Sequence, residues 1–114
     1  MIEKKLELGN LYDFYSELLT EKQKEVLEQY LVNDLSLAEI SINANVSRQA
    51  VYDSLKRSAK ILNDYEDKLG LLEKYLKTLE EKTTILNLVN EIQSRLDNEY
   101  IKEQIEKIKC IVER

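Results

Sequence analysis

The sequence has no histidine, no proline, no tryptophan, only two glycines (Gly9 and Gly70) and one cysteine, Cys110. Each shortage removes a class of protein. Without histidine there is no imidazole for a triad or a proton relay, and one cysteine can make neither a disulfide framework nor a Cys/His zinc site. With two isolated glycines there is no phosphate-cradling loop. A β-sandwich or barrel needs a turn every few residues, and this chain has too few turn-formers to supply them. No apolar run approaches the ~18 residues of a membrane span, so no membrane insertion is expected. No signal-peptide pattern opens the chain, and the expected location is cytoplasmic. Nothing marks a catalytic constellation, so the reading is non-enzymatic and no cofactor or metal is expected.

What is present is helical. The 114 residues carry 17 Lys and Arg against 22 Asp and Glu, a formal charge of −5, with 43% hydrophobic residues. That is the size of one domain. Acidic proteins generally avoid nucleic acid, because phosphate neutralisation dominates that affinity. The charge is uneven, however. Residues 1–19 carry two bases and four acids, 20–62 six of each, and 63–114 nine bases and twelve acids. Within the neutral block, Ser47 to Leu62 holds Arg48, Lys56, Arg57 and Lys60 against Asp53 alone.

Residues 2–18 place Leu8, Leu11, Tyr12, Tyr15 and Leu18 at helical spacing, with an interruption at Gly9-Asn10. Thr20 with Gln23 and Ser36 with Glu39 are capping boxes, in which each side chain satisfies a backbone amide at a helix start. The first opens a helix to about Leu31 with Val26, Leu27, Tyr30 and Leu31 inward; the second opens a short one with Leu37, Ile40 and Ile42 as its apolar positions. Val32 to Leu35 reads as a turn. Ser47 caps a third helix, and Asn45 stands where the preceding turn needs positive φ. Two short helices and a tight turn, followed by a helix opening with polar and basic residues, describe a helix-turn-helix. Ile40, Val46 and Val51 are the expected contacts across it. Ser47, Arg48, Gln49, Tyr52, Lys56 and Arg57 form the candidate nucleic-acid-binding set. Arg can pair with guanine edges or phosphate and Gln with adenine. Asp53 on the same face repels phosphate, and capped helix hairpins with surface bases also serve as plain packing units.

Beyond Val51 the apolar period becomes seven. Leu55, Leu62, Leu69 and Leu76, with Tyr65, Leu72 and Leu79, make an a/d stripe on one long helix running to about Lys82. Gly70 is its weak point, and Thr83-Thr84 a plausible break. Leu55, Leu62, Leu69, Leu72, Leu76 and Leu79 are the candidate dimerisation residues, although such a stripe also serves as intrachain core. Ile85, Leu88, Val89, Ile92 and Leu96 continue a stripe. Asp97-Asn98 can then cap a last helix with Ile101, Ile105, Ile108 and Val112. Tyr12, Phe14 and Tyr15 read as core rather than base-stacking aromatics, and Cys110 as a buried, inert thiol. The fold class expected is all-α, a single domain: an N-terminal packing helix at 1–19, a helix-turn-helix core at 20–62, and a helical extension at 63–114 that dimerises.

Leu19 to Leu27, Ser36 to Ile40 and Asn45 to Asp53 resemble the promoter-recognising fourth region of bacterial sigma factors. More closely, with Leu11 to Tyr15 and Asp64 to Leu69, they resemble the YlxM family of small helix-turn-helix proteins. The resemblance covers residues 8–72 well. Ser41 departs from the Ala or Gly such motifs prefer, and Asn45 replaces the usual turn Gly. The resemblance implies a regulatory or accessory protein of the signal recognition particle pathway. Its expected partners are nucleic acid (DNA or the particle's RNA), the particle's protein components and a second copy of itself. The alternatives are a protein–protein adaptor whose helix-turn-helix only packs, and a sigma-like transcription regulator.

Overall fold

The computed structural model describes residues 5–114. Among them the only regular elements are helices: α1 (Lys5–Tyr15), α2 (Glu21–Leu31), α3 (Leu37–Ala44), α4 (Arg48–Leu69), α5 (Leu71–Ser94) and α6 (Glu99–Val112), with a 3-10 turn at Ser16–Leu18. The fold is all-α. The chain falls into two compact units that divide between Leu72 and Glu73.

The starts of the middle helices are set locally. The Gln23 N–H donates to Thr20 Oγ1 at 3.2 Å while the Thr20 N–H donates to Gln23 Oε1 at 3.0 Å. Ser36 and Glu39 make the same reciprocal pair at 3.1 and 3.0 Å. Each box satisfies two of the amides that a helix start leaves without intrahelical partners. Ser47 Oγ accepts from the Ala50 N–H at 3.0 Å and opens α4. Between α3 and α4, Asn45 takes φ 55° and ψ 45°, the left-handed geometry expected of it.

The core of the first unit gathers one stripe from each element: Leu8, Leu11 and Tyr15 from α1, Val26 and Leu27 from α2, Ile40 from α3, and Val51, Leu55 and Leu62 from α4, with Leu19 between α1 and α2. Leu27, Ile40, Leu55 and Leu62 are wholly removed from solvent. Burying side chains of this size contributes roughly 1.5–3 kcal/mol each. Tyr15 stacks on Tyr65 with centroids 6.1 Å apart. Ser41 is also buried. Its hydroxyl turns back onto the Ala38 carbonyl at 2.7 Å, which lets a polar side chain occupy a position that favours Ala or Gly.

Several expectations need correction. The single helix from Ser47 to about Lys82 is two helices, because Gly70 sits at φ 62° as the C-cap of α4 and its N–H donates to the Glu66 carbonyl at 2.8 Å. Thr83-Thr84 does not break α5. Their hydroxyls donate to the Leu79 and Glu80 carbonyls at 3.0 Å within an unbroken helix. α1 runs through Gly9-Asn10 without interruption, and Leu18 faces solvent from the 3-10 turn; expectations for residues before Lys5 lie outside the described residues. Ile42 is 78% exposed, since its place on α3 points away from α2 and α4. Val46 is half-open rather than a sealed contact, and Cys110 is exposed on α6.

The corner after α4 is held by side chains. The buried Tyr15 hydroxyl donates to Glu66 Oε1 at 2.6 Å and accepts from the Leu71 N–H at 3.1 Å, while the Leu72 N–H donates to the same carboxylate at 3.0 Å. One phenol and one carboxylate thus satisfy two leading amides of α5.

In the second unit, α5 and α6 pair antiparallel. Gln93 Nε2 donates to Glu106 Oε1 at 2.9 Å, and Lys82 Nζ donates to the Arg114 carbonyl at 3.1 Å. Asn98 caps α6 by accepting from the Ile101 N–H at 3.2 Å.

Candidate nucleic-acid interface

α4 presents one buried and one open side. Val51, Leu55, Ser58 and Leu62 face the core. The opposite side carries Gln49, Asp53, Lys56 and Lys60, with Tyr52 half-buried beside them. Ser47 and Arg48 stand exposed at the helix start, ahead of the point where α4 meets the core. Arg57 lies on the other flank of α4 with Ser47, Ala50 and Ser54. The predicted set therefore divides. Arg48, Gln49, Tyr52 and Lys56 share one surface around the first two turns, and Arg57 borders a groove on the flank.

The electrostatics are local. No acidic residue occupies the first turn of α4, so the positive end of the helix dipole is uncompensated there. Among the described residues Arg48, Lys56 and Arg57 are in no ion pair. By contrast Lys24 is paired with Glu17 at 3.2 Å and Lys60 with Asp64 at 3.1 Å. Lys56 Nζ lies 5.7 Å from the Tyr52 ring centroid, a cation–π arrangement that keeps the ammonium on this face. Gln49 Nε2 donates to Asp53 Oδ1 at 3.0 Å, so Gln49 must release Asp53 before its amide can pair with an adenine edge. The Ser47 hydroxyl accepts from the helix and keeps its own proton for donation.

Reading along the chain missed Lys22. Folding sets the start of α2 beside α4, and Lys22, Gln23, Val46, Ala50, Ser54 and Arg57 line one shallow groove. An exposed second cation thus borders the same flank as Arg57. No sequence signal joins residues 22 and 57, because only the crossing of α2 over α4 does so.

The leucine stripe is divided by the corner at Gly70. Leu55 and Leu62 are fully enclosed in the core of their own chain, so these two cannot face a second copy without unfolding the unit, and Leu72 packs against that core partly buried. Leu69, Leu76 and Leu79 stay about half exposed. Among the described residues no helix is long and apolar enough to cross a membrane.

Capped α2 and α3, a left-handed turn residue and a basic-fronted α4 define a helix-turn-helix protein. Comparison with known sequences agrees. Residues 2–109 match the family UPF0122, described as "Putative helix-turn-helix protein, YlxM / p13 like", and the chain belongs to that family. Similar relatives are UPF0122 proteins of Clostridium novyi, 44% identical over 95% of this chain and 94% of that one, and of Fusobacterium nucleatum, 47% identical over 84% and 99%. A UPF0122 protein of Bacillus mycoides is 38% identical over the whole of this chain and 98% of its own length.

Proposed function

We propose that the protein is a non-enzymatic regulatory or accessory factor of the signal recognition particle pathway, acting in the cytoplasm as a homodimer that binds nucleic acid through the start of α4. The observation that carries the binding reading is the clustering of Arg48, Lys56 and Arg57, in no ion pair among the described residues, around a helix start with no acid in its first turn. In this reading Arg48 and Gln49 meet base edges, Ser47, Lys56 and Arg57 meet phosphate, and Lys22 adds a phosphate contact across the groove. The pathway assignment rests on the family alone. A sigma-like transcription regulator is the second form of the same reading.

The adaptor alternative draws on the carboxylates of α5 and α6, Glu73 to Glu106, which suit a basic protein partner. Fluorescence anisotropy separates the two. The chain and an Arg48/Lys56/Arg57→Ala variant of unchanged helicity are titrated onto mixed-sequence duplex DNA and onto the particle's RNA at low and physiological salt. The three cationic phosphate contacts, Lys22, Lys56 and Arg57, give a log–log salt slope of roughly −0.9 per contact on duplex DNA, and Arg57→Ala alone lowers the slope by about one contact. Binding to neither nucleic acid, or salt-independent binding kept by the variant, rejects the reading in favour of the adaptor.

A further inference from the structure

The α5–α6 hairpin is ordered around very little. From Glu73 onward a single side chain, Ile105, is buried. The other apolar side chains turned inward, Leu86, Val89, Leu96 and Val112, are only half-buried. Isolated helices of this length are marginal in water, and most of their stability comes from packing an apolar face. One buried isoleucine is not such a face.

Another face is available. At about 100° per residue, Ile85, Leu88 and Ile92 fall on one flank of the α5 seam, and Ile101, Ile108 and Ile111 on one flank of the α6 seam. The antiparallel pairing turns both flanks to the same side of the hairpin. All six are 38–61% exposed. The reverse side carries Asn87, Asn90, Glu91, Glu99 and Glu103, so the hairpin is amphipathic as a unit.

We infer that this isoleucine-rich face is a self-association surface, and that two hairpins pack face to face as a four-helix bundle. The six side chains expose roughly 500 Å² of apolar surface, near the upper end for an uncovered patch on a monomer (~300–600 Å²). Doubled across a two-fold axis and widened by neighbouring stems, this reaches the ~1,200 Å² at which specific interfaces begin. A second copy fits for two reasons. An isologous contact needs only one self-complementary patch, and every chain has this one. A lipid surface recruits amphipathic helices through cationic excess, whereas residues 73–114 hold eight cations against nine carboxylates. The inference rests on the homodimer reading above and moves its seam from the leucines at 55–79 to the isoleucine face.

The test uses the full chain in sedimentation velocity across micromolar concentrations, with helicity followed by circular dichroism. Wild-type protein should be dimeric. Leu88→Glu/Ile108→Glu and Leu88→Lys/Ile108→Lys should each weaken association by on the order of a hundredfold or more. Mixed in equal amounts, the two variants should form a heterodimer, since opposite charges then meet across the interface. Leu76→Glu, an exposed leucine off this face, should remain dimeric. A monomeric wild type would overturn both the homodimer reading and the interface. Dimers unaffected by the charged variants would overturn the interface while leaving the homodimer standing, as would variants that stay monomeric on mixing.

Discussion

The two glycines should respond to the same substitution with opposite signs. Gly9 lies inside α1, and a Cβ built there meets nothing within 4 Å. Gly9→Ala therefore removes an interior helix glycine without a steric cost, and stability should rise by about 0.5–1 kcal/mol. Gly70 also has open space around its Cβ position, but its φ is +62°. An alanine in that conformation costs about 1–2 kcal/mol, partly offset by the reduced freedom of the unfolded chain, about 0.4–1 kcal/mol. Gly70→Ala should therefore destabilise by about 0.5–1.5 kcal/mol. Because neither site has a neighbour to clash with, backbone conformation alone separates them, and the gap between the two variants should be about 1–2.5 kcal/mol. Urea unfolding followed by circular dichroism measures this as midpoints moving in opposite directions at constant m-value. If Gly70→Ala raised the midpoint, α4 and α5 would be one continuous helix and the corner at Gly70 would be wrong.

Other outcomes follow from the same geometry. Tyr15→Phe removes the hydroxyl that bridges Glu66 and the Leu71 amide, and should cost about 1–3 kcal/mol. A double-mutant cycle with Glu66→Gln should show coupling, and additive losses would dissolve the bridge. Ser58 Oγ is buried without a hydrogen-bond partner among the described residues, so Ser58→Ala should be neutral or stabilise by up to about 1 kcal/mol; a loss larger than 1 kcal/mol in thermal unfolding would reveal a missing partner. Stability should also fall at both ends of the pH scale. Burial, then the hydrogen bond to Glu28, raises the Tyr12 hydroxyl to about 12, so its contribution is complete below pH 10 and lost as pH climbs toward 12. Lys5 holds Asp34 below the usual carboxylate range, the Ser36 amide does so for Glu39, and Gln93 with Lys109 for Glu106; their contributions are present above about pH 4 and lost as pH falls further. Urea midpoints between pH 3 and 11 should show a plateau with two shoulders, and Tyr12→Phe should reduce the alkaline one, to which the Tyr15 hydroxyl, also raised by burial, contributes.

Features settled by neighbours in sequence were legible in advance. A capping box needs only a hydroxyl and a Glu or Gln three residues on, so the starts of α2 and α3 are written at Thr20-Gln23 and Ser36-Glu39. Asn45 is left-handed because its own backbone contacts decide that conformation, and the same locality made the order of short, short and long helices readable. It also carried the family resemblance, which rests on the same short segments. The candidate interface was legible to the same depth. The basic run at 48–57 is visible as a string of letters, but that Arg48, Lys56 and Arg57 enter no ion pair among the described residues is not.

Tertiary structure decided what lies far apart in the chain. A heptad of leucines has the same period on one helix or on two. The buried Tyr15–Glu66 bridge, which joins residues 51 apart, helps fix Gly70 as a corner rather than a defect in a helix. The left-handed cap at Gly70 divides the stripe between two helices: Leu55 and Leu62 lie in the core of the first unit, and Leu76 and Leu79 are half exposed on α5. Lys22 reaches the flank of Arg57 only because α2 crosses α4. Local hydrogen bonds and backbone sterics act within a few residues and so are carried by the sequence itself, whereas burial is a property of surfaces that exist only once the helices have packed.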